Sequence, residues 1–306
     1  MLRAFKTEIL PTLQQAEKIH QMLGICRYLY NLYLASNFEV YETLGKNFFV
    51  TGYVFDKYVN HVVKKKLIWI NECGAKARKQ AIMNAERAFK NYMEGKTNRP
   101  RFKKKRQQKV KAYFPKNTKG DWIIWRHKLQ VPTIGVIKLK EKGYLPSNVK
   151  INSGTISYKA GRYYVSLLAD LPDKEMEKPQ GEGIGIDLGV KELAIMSNGV
   201  VKSNINKTPK IRKLNRKLRR EQRRLSRKYE TKKKRGEQTA AYSANIEKQI
   251  VKIQRIYQRL TNIRVDYENK IISEIVKRKP SFIVLEDLNV RGMMKNRHLS
   301  KAIEYF

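Results

Sequence analysis

Cysteine is nearly missing from this chain of 306 residues, where only Cys26 and Cys73 occur. Two thiols so far apart in sequence build neither a disulfide framework nor a thiolate zinc cluster, and their scarcity fits a reducing cytoplasm. They read as small hydrophobes on half-buried helix faces, without chemistry of their own. Long apolar runs are missing too. No stretch of about eighteen such residues occurs, and no apolar segment follows the N-terminus, so neither a membrane span nor a signal peptide is expected. Acids are the third scarcity: 27 Asp and Glu stand against 66 Lys and Arg, a net charge of +39. An excess of one sign on that scale opposes compaction, and a polyanionic partner relieves it. DNA or RNA is the partner this favours over a membrane surface.

What is present suffices for a core. Hydrophobic residues make up 41% of the chain, and the length predicts about two domains. Residues 2–10 are β-compatible, and Pro11 with Thr12 marks a helix entrance. Leu13, Ala16, Ile19, Leu23, Cys26, Tyr30 and Leu34 then recur at helical spacing, as do Ile82, Ala85, Phe89 and Tyr92. Residues 12–95 are therefore expected to be mainly helical. From Gly95 the texture changes to a basic run and then to segments rich in β-branched and aromatic residues, with a hairpin turning at Lys159–Arg162. A small antiparallel barrel or curled sheet over 96–172, closed by the first strand, is the expectation. Residues 173–182 are polar and proline-containing and read as a linker.

The third region opens with GIGIDLGVKELAIMSNG, two strands joined by a tight turn. Residues 207–235 follow with sixteen cations and a narrow apolar stripe of Ile211, Leu214, Leu218, Leu225 and Tyr229. Their partner is 243–279, where isoleucines and tyrosines sustain helical spacing, so an antiparallel helical hairpin is predicted. Pro280 ends it, and SFIVLEDLNV reads as a buried strand. Asp187 ends one apolar run and Glu286 another. If the two strands are adjacent and parallel, both acids meet at one sheet edge, where a hard cation such as Mg²⁺ finds oxygen ligands beside a scissile phosphate. The plain alternative is that each acid caps a loop. Gly189 lets a backbone come close beside the first acid.

At these residues a resemblance becomes specific. GIGIDLGVKELAIMSNG resembles the first RuvC motif, and VLEDLNVRGMMKN the second, of the TnpB proteins, transposon-encoded RNA-guided DNA endonucleases also known as OrfB transposases. The opening MLRAFKTEILPT, RPRFKKK, KLQVPTIGVIKLK, ISYKAGRYYVSL and QRRLSRK resemble family segments in the family's order. Type V CRISPR effectors share the nuclease. The resemblance implies an α+β multidomain fold: a helical recognition lobe (11–95), a small antiparallel wedge-like β-barrel (1–10 with 96–172), and an incomplete RNase H-like (RuvC) α/β domain (183–306) carrying the basic helical hairpin as an insertion. It implies catalytic, metal-holding carboxylates at Asp187 and Glu286, but not at Asp287, whose side chain alternates to the other face. It implies Mg²⁺ in a two-ion site, a guide RNA and double-stranded DNA as partners, and a prokaryotic cytoplasm with association to the nucleoid.

The family continues past its second motif into a zinc ribbon with two CxxC pairs and a third motif with the last catalytic aspartate. Here the sequence ends at HLSKAIEYF. The expectation is therefore a metal site short of one ligand, no ligands for the structural zinc, and impaired cleavage, the alternative being a non-catalytic guide RNA or DNA binder acting as a repressor or remnant. The expected nucleic-acid contacts are Arg101, Lys103, Lys104, Lys105 and Arg106 in the first basic run, and Arg219, Arg220, Arg223, Arg224 and Arg227 in the hairpin. Tyr113, Phe114, Trp122 and Trp125 interleave with cations and either stack on bases or fill the barrel. His127 reads as structural.

Overall fold

The structure, a computed structural model, describes residues 1–45, 48–105, 110–116, 120–147, 149–173, 179, 181–234 and 244–296. The chain divides into two compact units, Met1–Asp173 and Lys174–Phe306. Most of the expected linker, 173–182, lies outside the described residues.

In the first unit, β1 (Leu2–Leu10) leads into α1 (Leu13–Leu44). Thr12 starts that helix with a reciprocal capping box: its hydroxyl accepts from the Gln15 N–H while the Gln15 amide oxygen accepts from the Thr12 N–H. There follow α2 (Gly52–Tyr58), a π turn at Val59–Val63, α3 (Lys64–Lys66), a 3-10 turn at Ile68–Glu72 and α4 (Ala75–Met93). The helical periodicity read between 12 and 95 is thus realised, with Ile19, Leu23, Leu34, Ile82, Ala85 and Phe89 all buried. Strands β2 (Lys111–Pro115), β3 (Ile123–Ile124), β4 (Lys128–Val131), β5 (Gly135–Leu139), β6 (Lys150–Lys159) and β7 (Arg162–Asp170) complete the unit. The β6–β7 hairpin turns where expected, with Ala160 at φ 54 and Gly161 at φ 75, the left-handed pair of a type I′ turn.

The expected barrel is not there. Seven antiparallel strands form an open sheet in the order β2-β6-β7-β1-β5-β4-β3, and among the described residues no ladder joins β2 to β3. A barrel fills its interior with its own side chains, whereas here the helices supply the filling. Leu29, Ile70, Ile82 and Phe89 share one core with Phe114, Leu129, Ile137 and Val165. Gly74, at the entrance to α4, comes so close to Thr133 and Phe114 that a Cβ there would meet them at 3.0 and 3.6 Å. With its inner face covered by helices, the sheet has no need to curl onto itself.

The second unit holds β8 (Ile184–Leu188), β9 (Glu192–Met196), β10 (Val201–Ser203), a 3-10 turn at Ile205–Lys207, α5 (Pro209–Lys234), α6 (Ala244–Lys277), β11 (Ile283–Leu285) and α7 (Val290–Met293). Its sheet runs β10-β9-β8-β11, with β8, β9 and β10 an antiparallel meander and β11 parallel to β8. Ile271 and Ile275 of α6 cover one face, packing on Ile184, Ile186, Ala194 and Met196. A second core, Ile211, Leu214 and Leu218 against Ile253, Ile256 and Leu260, holds α5 to α6. One expectation fails here: β11 is not buried. Phe282, Val284 and Leu285 are 61%, 57% and 57% exposed, because β11 is an edge strand paired only to β8 among the described residues.

Candidate active site and nucleic-acid interface

The parallel pairing of β8 with β11 sets the geometry of the two acids. Ile184, Gly185 and Ile186 pair in register with Ile283, Val284 and Leu285. Asp187 follows Ile186 inside β8 and Glu286 follows Leu285 just past the end of β11, so the register, continued by one residue, leads both acids to the same C-terminal edge. Strand alternation turns Asp187 away from the core face that Ile184 and Ile186 occupy, and Glu286 shares its face with Val284. Both acids are exposed. The pairing also extends upstream, where Gly181 bridges Pro280 and its N–H donates to the Lys279 carbonyl over 2.9 Å. Gly183 lies under the Phe282 ring with no room for a Cβ. At Gly189 the close neighbour is the Glu192 carbonyl, 3.1 Å from where a Cβ would stand. Two carboxylates on adjoining strand ends, open to solvent, offer the hard oxygen donors that Mg²⁺ takes, so the donor set fits that ion. Among the described residues no group of three or more His, Cys, Asp or Glu side chains converges.

The basic hairpin presents one cationic face. Lys213, Arg216, Arg219, Arg220 and Arg223 of α5 line an open groove of about 450 Å³. Lys213, Arg216, Arg220 and Arg223 recur at helical spacing and so form a row on one side of the helix. Arg219, Arg220, Arg223, Arg224 and Arg227, the hairpin residues singled out in the sequence, are all exposed. Lys213 and Arg216 join this row without having stood out in the sequence, although their spacing to Arg220 and Arg223 is helical.

Beside the apolar core that joins α5 to α6, one buried acid adds a polar anchor. The Glu221 side chain is only 5% exposed; it accepts from the Gln249 amide at 2.8 Å and pairs with Lys252 at 3.0 Å and Arg224 at 3.1 Å. The Gln249 amide, with the two cations behind it, holds the carboxyl down to about 2. The antiparallel run of the two helices follows from Lys228 donating to the Asn245 carbonyl at one end and Arg264 to the Asn206 side chain at the other.

In the first unit the predicted basic run divides. Arg101, Lys104 and Lys105 are exposed. Lys103 turns inward: its ammonium sits 3.5 Å from the centroid of the Tyr30 ring, and Asn31 clamps its backbone from both sides, at 2.8 and 3.0 Å. Arg106 lies outside the described residues. Of the interleaved aromatics, Phe114 and Trp122 are core residues at 1% and 3% exposure, while Trp125 is exposed. On the sheet's outer face Lys128 stands directly opposite Lys138, a like-charge pair that weakens a sheet on its own.

An antiparallel meander followed by a helical hairpin and a strand parallel to its first member is the arrangement of a RuvC-like sheet. A family model described as "Probable transposase" (OrfB_IS605) matches residues 166–297, and one described as "Helix-turn-helix domain" (HTH_OrfB_IS605) matches residues 1–46. The chain belongs to this TnpB/OrfB family. It is similar to the "Putative RNA-guided DNA endonuclease InsQ" of Escherichia coli (strain K12), with 30% identity across 96% of this chain and 68% of the relative. A "Putative RNA-guided DNA endonuclease" of Streptomyces pristinaespiralis shares 28% identity across 98% of this chain and 70% of the relative. Among solved structures, the fold resembles the protein of the "Cas12f1-sgRNA-target DNA complex", with a TM-score of 0.51 at 14% identity over 96% of this chain and 71% of that one. No helix among the described residues is long and apolar enough to cross a membrane.

Proposed function

We propose that the chain binds a guide RNA and, through it, double-stranded DNA, and that it hydrolyses phosphodiester bonds with Mg²⁺ held by Asp187 and Glu286. The β8–β11 register that leads these two acids to the same edge, in a chain of this family, is the observation that carries the reading. With Mg²⁺ bound, the chemistry supplied at that edge is polarisation of a phosphate oxygen and activation of a water. The chain's own part is to fix two anionic ligands on rigid strand ends and to hold the polynucleotide by its phosphates. The α5 row of Lys213, Arg216, Arg220 and Arg223 suits that second task, as do Arg219, Arg224 and Arg227, and Arg101, Lys104 and Lys105 in the first unit. Bound phosphate would also relieve the opposition of Lys128 and Lys138. In this reading residues 11–95 serve as the recognition lobe, 1–10 with 96–172 as the wedge, 173–182 as the linker and 183–306 as the nuclease domain. The working place is the nucleoid.

The test uses purified protein, its transposon-derived RNA and a duplex matching the guide. Mg²⁺-dependent cutting that Asp187→Ala and Glu286→Gln each reduce at least a hundredfold, with RNA affinity unchanged, is the expected result. Guide-directed protection of the duplex without any cutting would replace the nuclease reading by an occluding, non-catalytic binder. Cutting that survives both substitutions would remove these acids from the site.

A further inference from the structure

Far from the two carboxylates in sequence, the fold brings the chain's two cysteines together. They lie 47 positions apart, yet the Cys26 and Cys73 sulfurs are separated by 4.0 Å, both free, and only 2% and 1% exposed. Their settings differ. Cys26 sits in the middle of α1, fixed by the helix, with its sulfur also 3.7 Å from the Ala77 carbonyl. Cys73 follows the 3-10 turn and precedes Gly74, with extended backbone at φ −107 and ψ 130. Its side chain can swing without breaking a helix.

The pair is buried, but charge and a mobile backbone stand beside it. Arg78, itself 5% exposed, donates to the Ile70 carbonyl at 3.1 Å in the turn that ends at Cys73, and its charge acts on both sulfurs. Lys103, held over Tyr30, adds its charge on the Cys26 side. Cations beside a thiol favour the thiolate, which is the nucleophile in oxidation. A hydrogen bond between the two sulfurs stabilises whichever is the thiolate, and Cys73, on extended backbone beside the turn that Arg78 holds, is the one free to move toward its partner.

We infer that Cys26 and Cys73 form a redox-sensitive pair that a hydroperoxide converts to an intramolecular disulfide, stapling α1 to the entrance of α4. The steps balance. The Cys73 thiolate attacks one peroxide oxygen, giving a sulfenic acid and hydroxide, which takes up the proton the Cys73 thiol has released and leaves as water. The Cys26 thiol then attacks the sulfenic sulfur, forming the S–S bond and releasing a second water, so two thiols are oxidised and one peroxide is reduced. Closing the gap to about 2.05 Å asks for a shift of roughly 2 Å, which the extended residue Cys73 can supply. The bond would enclose α2, the π turn and α3 in one covalent loop, and a dithiol reductant would reopen it.

The experiment takes the full chain, reduced and then freed of reductant, through a titration with hydrogen peroxide, followed by denaturation, alkylation and intact mass with peptide mapping. A species lighter by two hydrogens, with neither cysteine alkylated, a mapped Cys26–Cys73 crosslink and full reversal by dithiothreitol, is expected. It should melt about 5 °C higher than the reduced form. Cys26→Ser should leave a sulfenic acid at Cys73 that a dimedone probe traps, whereas Cys73→Ser should leave Cys26 unlabelled. Independent oxidation of the two thiols to sulfinic acids, crosslinks between chains only, or thiols that stay reduced until the protein is unfolded would each overturn the inference. The wild-type measurement decides even if a variant misfolds.

Discussion

Glu221 shows how much one side chain can set in a basic helix. Its carboxyl ionises near 2 when folded, against an ordinary value of 4.5. A carboxyl lowered on folding stabilises fully above its unfolded value, and that contribution disappears as pH falls from about 4.5 through about 2. Glu221→Gln should therefore lower stability by about 1–3 kcal/mol at neutral pH, with the gap to wild type narrowing as urea melts are repeated at successively lower pH. A gap independent of pH would mean that shape, not charge, is what Glu221 contributes. Lys103 illustrates the opposite problem. In RFKKKR its ammonium is indistinguishable from its neighbours', and only the Asn31 clamp turns it onto Tyr30. Lys103→Ala should cost about 0.5–1 kcal/mol of stability and leave RNA affinity nearly unchanged; Lys104→Ala should do the reverse, as paired melts and filter binding would show. Neither Glu221 nor Lys103 declares itself in sequence, because burial of a charge depends on partners that are distant in the chain, here Gln249, Lys252 and Asn31.

Elements are more legible than residues. Periodicity places both hairpin helices, since Leu214, Leu218, Ile253 and Ile256 repeat at the spacing that buries one face. It also places Asp187 and Glu286 at strand tips, because apolar runs end there. Periodicity cannot tell what covers a strand, however. SFIVL has the composition of a buried strand, yet β11 lies at a sheet edge. For α5 the consequence of its cationic row is a matter of salt. If the whole protein neutralises about eight phosphates, affinity should fall by roughly four orders of magnitude between 50 and 200 mM salt. Replacing Lys213, Arg216, Arg220 and Arg223 with Gln should flatten the log–log slope by about four, measured by RNA binding across a salt series. An unchanged slope would mean that the row faces solvent without a ligand.

At the scale of the whole molecule, the charge of +39 and the order of motifs point to the partner class and the family without help from the fold. What they do not yield is closure. Alternating apolar residues such as Leu129, Val131, Ile137 and Leu139 specify that one face of a sheet is dry, but a barrel interior and a helix-covered face produce the same alternation. The two differ only through contacts such as Gly74 against Phe114 and Thr133. The helix-turn-helix description of residues 1–46 likewise differs from the structure, for among the described residues this stretch holds the strand β1 and one helix, α1.

The edge position of β11 has a practical corollary. A strand with Phe282, Ile283, Val284 and Leu285 in solvent and one flank of peptide groups unpaired among the described residues is a template onto which another polypeptide can zip. At the low ionic strength where charge repulsion reaches furthest, +39 keeps copies apart. Once salt or bound polyanion screens that repulsion, turbidity should be governed by this strand, and a lysine at Val284 should keep the solution clear.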